Sequence, residues 1–99
     1  MRVEFSAFVE SDLTAIADYI AADNPTRAVT FVKEIRAQCR KLGEGPLLYR
    51  LRPEIAPDAR LVAHQRYVIL FRIVDQIVRV ERIVHGARDL VDAFDSNAS

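Results

Sequence analysis

The stretch from Tyr67 to Val84, YVILFRIVDQIVRVERIV, restricts the possible folds of this chain more than any other. Two runs rich in β-branched and aromatic residues flank Asp75 and Gln76, a two-residue break that suits a hairpin although it lacks glycine. The first run is apolar on both alternations, with Tyr67, Ile69, Phe71 and Ile73 on one and Val68, Leu70 and Val74 on the other. Such a strand is expected at the centre of a sheet and covered on both faces. The shorter run RLVAHQ precedes it, and the run after the break alternates more plainly, so the three together read as an antiparallel meander.

The rest of the chain supplies a covering layer. RVEF at the start alternates apolar Val3 and Phe5 with Arg2 and Glu4, a short strand pattern. From Ser11, the expected N-cap, Leu13, Ile16, Ala17 and Ile20 form one apolar stripe at helical spacing, with Asp12, Asp18 and Asp23 off it. The tripeptide DNP ends that helix, and Asn24 and Pro25 open a second, because Pro25 is tolerated at the first helical position. Ala28, Phe31, Val32, Ile35, Cys39 and Leu42 mark its apolar face, and Gly43 is the expected stop. A tight connection makes the pair an antiparallel helix hairpin. Residues 43–60 hold three of the four prolines and two of the three glycines. They read as a loop with at most a short strand or turn.

The fold expected is α+β: a short N-terminal strand and a helix hairpin packed on one face of a small, mainly antiparallel, curved sheet. Residues 1–95 form a single domain and residues 96–99 a flexible tail. One hairpin leaves the far sheet face open. Apolar residues there, interleaved with Arg72, Arg79 and Arg82, are therefore candidates for contact with a partner.

Composition narrows the function. Hydrophobic residues make up 51% and charged residues 28%, which places the chain among folded globular proteins. A single domain of this length cannot hide a cofactor cavity beside a full core. Cys39 is the only cysteine, so no internal disulfide or thiolate metal cage can form, and a reducing cytoplasm is expected. Glu4, Glu10 and Asp12 interrupt the apolar core that a secretory signal needs, and no stretch has membrane-spanning length. Fourteen basic residues balance fourteen acidic ones, which speaks against generic or sequence-specific nucleic-acid binding. The balance is uneven along the chain: residues 50–88 hold eight arginines against four acids, whereas residues 89–99 hold three aspartates and no base. Arginine suits fixed, forked contacts with carboxylates, so an acidic protein partner fits that half.

No phosphate loop, metal-ligand spacing or nucleophile elbow is present, and no cofactor, metal or catalytic residue is assigned. His64, His85 and the sheet arginines contain the groups that RNA cleavage requires, a general acid and a charge clamp. Structural roles are favoured for both histidines: His64 facing solvent, and His85 satisfying backbone at a strand end. Arg82 must either pair with a carboxylate or face a partner. Arg88 and Asp89 read as a local salt bridge, Gly86 as a bend or positive-φ position, Tyr19 and Tyr49 as packing residues with exposed hydroxyls, and Cys39 as a small buried hydrophobe.

Three segments, DLTAIADYIAADNPTRAVTFVKEI over the helices, RYVILFR in the central strand and VERIVHGARDL at the end, together resemble the ParE toxins of bacterial toxin–antitoxin modules, within the wider RelE/ParE superfamily. The resemblance spans nearly the whole chain. It implies a cytoplasmic toxin that blocks DNA gyrase by contact and is neutralised by a ParD-like antitoxin with an acidic C-terminal segment, in a heterotetramer or larger complex. Candidate contact residues for antitoxin or target are Arg60, Arg66, Arg72, Arg82 and Arg88, with Leu13, Ile16, Tyr19 and Ile20 as the hairpin surface. The alternative it implies is a RelE-like, ribosome-dependent mRNA endoribonuclease. Those enzymes are strongly basic and end on a His or Arg followed by a working tyrosine. Here Arg88 is followed by DLVDAF, and Phe94 has no hydroxyl to donate a proton.

Overall fold

The computed structural model of the chain describes residues 1–95, so the expected tail at 96–99 lies outside the described residues. Strand β1 (Arg2–Phe5) leads into helices α1 (Val9–Ala21) and α2 (Pro25–Lys41). Two short 3-10 turns, Leu42–Glu44 and Pro46–Leu48, begin the long loop. Strands β2 (Arg60–His64), β3 (Tyr67–Val74) and β4 (Ile77–His85) follow, and a six-residue helix α3 (Leu90–Asp95) ends the described chain. The sheet order is β1-β4-β3-β2, antiparallel through β2, β3 and β4, with β1 parallel to β4. This is the α+β fold expected, with β3 inside the sheet as its two-sided apolar pattern requires.

Local chemistry accounts for several boundaries. Asn24 caps α2 by accepting the Arg27 N–H at 3.0 Å, and Pro25 opens the helix. Asp75 and Gln76 both have positive φ, 51° and 62°, so they form the tight hairpin turn usually given to glycine. Other expectations fail for stated reasons. Helix α1 starts at Val9 rather than after Ser11, because its entry is held from a distance. Ser6 Oγ donates to the Glu81 carbonyl at 2.6 Å and accepts the Phe8 N–H at 3.2 Å. Gly43 is not a left-handed helix stop, since it lies in a 3-10 turn and no glycine has positive φ. Its backbone carbonyl instead accepts the Met1 amino group at 2.7 Å, and a Cβ there would collide with the Met1 carbonyl oxygen. Gly86 likewise occupies a turn without positive φ.

Two cores flank the sheet. On the hairpin side Val9, Leu13, Phe31, Ile35 and Cys39 pack against Ile69, Phe71, Val78, Val80 and Ile83. The far face is not open. Ile55 and Ala59 of the loop and Ala93 and Phe94 of α3 cover Val68, Leu70 and Val84. The expectation of an apolar far face left for a partner is therefore corrected. A bulge explains the irregular alternation in β4: Leu70 pairs with Arg82 but Phe71 with Val80, so Glu81 is the extra residue. Before it Val78 and Val80 face the hairpin, and after it Ile83 does.

Cys39 is fully buried, as a small hydrophobe should be, and burial pushes its thiol up to about 12. Thiolate is the reacting form. Iodoacetamide is expected to leave the folded protein unmodified at neutral pH and to alkylate Cys39 once denaturant unfolds it, read by mass spectrometry. Rapid labelling of the native chain would contradict this burial.

Candidate functional site

The fold sorts arginines that look alike in sequence. Arg82 is buried and forks onto Asp12, Nε to Oδ2 and Nη2 to Oδ1, each at 2.8 Å, while Nη1 donates to the Ala93 carbonyl at 3.4 Å. Asp12 Oδ2 also accepts the Ile83 N–H at 3.0 Å, so this carboxylate ties α1 to the edge of β4 beyond β1. The Asp12 hydrogen bond is the main reason the Arg82 guanidinium is held above its ordinary range. Of the two readings of Arg82, the fold-stabilising ion pair is the one observed.

Arg72 is also internal. Its Nε lies 2.7 Å from Oε2 of buried Glu81, its Nη1 donates to Asp58 at 2.9 Å, and its guanidinium covers the Phe94 ring at 4.3 Å. Arg79 reaches the other oxygen of Glu81 at 2.8 Å. Arg60 is partly buried and donates to the Tyr49 carbonyl. Leu13 and Ile16, expected on the hairpin surface, are core residues only 3% and 5% exposed, because the apolar stripe of α1 turns onto the sheet. Ile20 is half-buried against that core.

The remaining candidates converge. Arg66, in the β2–β3 turn, and Arg88, after β4, are both exposed and have no ion pair or side-chain hydrogen bond among the described residues. Tyr19 is 77% exposed, too bare for the packing role expected. These three border two adjoining hollows of about 240 and 290 Å³ that share Tyr19, Tyr67 and His85. The first is floored by Ile16, Ile83 and Val84 with Arg88 at its side, the second by Ile20 and Phe31 with Arg66.

An aromatic chain from four elements forms the base of this groove. His64 packs on Phe31 at 5.3 Å, Phe31 on Tyr67 at 5.4 Å and Tyr67 on His85 at 5.5 Å. Burial, with a smaller push from Tyr19, raises the Tyr67 phenol above its ordinary range, so near neutrality it donates a hydrogen bond rather than carrying charge. His85 Nδ1 accepts the Ala87 N–H at 3.0 Å, the local backbone role expected of it, which leaves the proton of the neutral ring on Nε2. His64 does not simply face solvent; its Nε2 meets Glu34 Oε1 at 3.0 Å. The only carboxylate in the groove, Asp12, is held by Arg82 and Ile83. The groove presents an apolar floor, neutral donors and two uncommitted cations. That set binds an anionic or amphipathic group better than it abstracts a proton.

Glu34 supports the groove wall through Arg27, whose Nη1 lies 2.5 Å from Oε2 and whose guanidinium stands over Phe31. The bonds from Arg27 and then His64 hold its carboxyl below the ordinary value of 4.5. A depressed folded value adds stability that is fully present above the unfolded value and is lost as pH falls through the folded one. Denaturation curves of wild type and Glu34→Gln should therefore converge as pH falls from about 5 to about 3. A constant difference across that range would contradict the assignment.

Sequence reasoning missed α3, although Asp89 was a signal. Its Oδ1 caps the helix by accepting the Asp92 N–H at 3.1 Å, instead of pairing with Arg88 as expected, and Leu90, Ala93 and Phe94 follow at helical spacing. The groove roles of Tyr67 and His85 had no local signal. Among the described residues no group of three His, Cys, Asp or Glu side chains could hold a metal ion, and no helix is long and apolar enough to cross a membrane.

A strand, a helix hairpin and a mixed sheet in this order define a known class of small α+β toxins. The fold is shared with a solved structure described as the chromosomal ParDE TA system from P. aeruginosa, with a TM-score of 0.75 and 24% identity over 86% of this chain and 95% of that one. Toxin RelE2 of Caulobacter vibrioides is 36% identical over 78 residues, 79% of this chain and 86% of the relative. The family model for the ParE toxin of the type II toxin–antitoxin system parDE matches residues 3–90. The chain belongs to this ParE toxin family, within the ParE/RelE superfamily.

Proposed function

We propose that this toxin acts in the cytoplasm by protein–protein contact on DNA gyrase, without chemistry of its own, and that a ParD-like antitoxin neutralises it in a heterotetramer or larger complex. Residues 1–95 act as one domain in this reading. The observation that carries it is Phe94. Where the resemblance to RelE-type ribonucleases calls for a working tyrosine, this side chain lacks a hydroxyl and is 1% exposed. It belongs to the far core, away from the helix hairpin and the groove. Arg72 and Arg82, which could have clamped a phosphate, are already bound to carboxylates.

The competing ribonuclease reading draws on one specific feature, the meeting of His85, Arg66 and Arg88 around the groove. Two assays separate them. Excess purified protein is expected to stop supercoiling by gyrase and to leave mRNA intact on translating ribosomes. Full gyrase activity alongside cleaved mRNA would replace contact inhibition with ribonuclease action.

A further inference from the structure

We propose that the groove over Tyr67 and His85 is a docking site for an extended acidic segment of the antitoxin, its aliphatic side chains entering the two hollows and its carboxylates pairing with Arg66 and Arg88. The inference rests on the neutralisation reading above only in naming the antitoxin as the source of the segment.

Charge supplies the first argument. Among the described residues seven arginines sit against carboxylates, and Arg50 and Arg60 donate to backbone carbonyls. Arg40, Arg66 and Arg88 have neither kind of partner. Two of those three border one groove. Arg88 is left available even though Asp89 adjoins it, because Asp89 is turned onto the first turn of α3. Asp12, the groove's own carboxylate, is neutralised by Arg82 and so does not repel an incoming acid.

Shape supplies the second. Each hollow joins an apolar floor to one free guanidinium, and the two meet at Tyr19, Tyr67 and His85. At 240 and 290 Å³ each is small for a drug-sized ligand but roomy enough for an aliphatic side chain. In an extended chain, side chains on the same face recur about every 7 Å. Alternating aliphatic and acidic residues would therefore present one apolar side chain to each hollow, with carboxylates beside them for the arginine forks. A nucleic acid suits the surface less well, since affinity for a phosphate backbone typically draws on about 6–10 cation contacts. The groove offers two free cations.

The test uses the full chain and three labelled probes: the capped pentapeptide Glu-Leu-Glu-Leu-Glu, its Gln-Leu-Gln-Leu-Gln counterpart, and a uridine pentanucleotide. The acidic peptide is expected to bind, shifting the NMR signals of Tyr67 and His85, and the glutamine peptide to bind at least about tenfold more weakly. Arg66→Gln and Arg88→Gln should each weaken the acidic peptide about tenfold, and Arg40→Gln should leave it unchanged. Both groove arginines are exposed and unpaired, so these variants should keep the wild-type melting temperature. Failure of the acidic peptide to bind, equal affinity in the Arg66→Gln/Arg88→Gln double variant, or tighter arginine-dependent binding of the pentanucleotide would overturn the proposal. Inhibition of supercoiling by the wild-type protein is read separately, so a wrong gyrase target and a wrong docking site give different results.

Discussion

Arg82→Ala is expected to lower the free energy of unfolding by about 3–5 kcal/mol, because it breaks a buried ion pair from one side. The side chains of Arg82 and Asp12 are 9% and 10% exposed, so little solvent is available to screen what remains. Without the guanidinium, Asp12 keeps only the Ile83 N–H on Oδ2, and the Ala93 carbonyl loses a donor. Three elements loosen together: the first turns of α1, the upper half of β4, and α3. Arg82→Lys should recover only part of the loss, since an ammonium cannot make the forked contact. Arg66→Ala, at an exposed and unpaired site, should stay within about 0.5 kcal/mol of wild type. Urea denaturation at neutral pH measures all three, and a loss below about 1 kcal/mol in Arg82→Ala would remove the pair from the fold's main supports. Loss of toxicity in an Arg82 variant therefore reports folding. Arg88→Ala is the cleaner probe of contact at this end of the sheet.

How much of the fold was legible depended on how local its cause was. The start of α2 follows from Asn24 and Pro25, which act within one turn, and the β3–β4 turn follows from the break in the apolar pattern at Asp75 and Gln76. The start of α1 depends on Ser6 bonding to Glu81, which is 75 residues away. Ser11, a good cap by type, lies inside the helix. The extra residue at Glu81 shifts which side chains of β4 share a face, and a period-two reading carries the wrong parity past it. Helix α3 is six residues long, too short to be stable on propensity alone, and it is helical here because Ala93 and Phe94 are buried against the sheet. A reading that weighs only long periodic segments passes over it and leaves the far face bare.

The site was legible as a set of residue types but not as a selection among them. Arg60, Arg66, Arg72, Arg82 and Arg88 look equivalent in sequence, and the carboxylate that removes Arg82 from the surface lies 70 residues before it. Arg66 and Arg88 remain available because the turn and strand end that carry them bring no carboxylate within reach among the described residues. Likewise Tyr67 and His85 become a groove floor only through the antiparallel register that pairs them.

Phe94→Ala is expected to cost about 3–5 kcal/mol, the usual range for removing a buried aromatic ring, and it bears on mechanism as well as stability. The ring is 1% exposed among Ile55, Ala59, Leu70 and Ala93, with the Arg72 guanidinium above it at 4.3 Å. Its removal leaves a cavity, forfeits the cation–π contact and opens the bridge between Arg72 and buried Glu81 to water. Thermal and urea denaturation read the loss, and near wild-type stability would mean that α3 does not cap the far face in solution. Phe94→Tyr separates mechanism from folding. Placing a hydroxyl in this apolar site without a partner should cost about 1–3 kcal/mol. It should confer no mRNA cleavage on translating ribosomes, because the new phenol would sit in the far core, across the sheet from His85, Arg66 and Arg88. Cleavage by a folded Phe94→Tyr protein would show instead that α3 can swing its side chain to the groove, and that one missing hydroxyl had kept a ribonuclease silent.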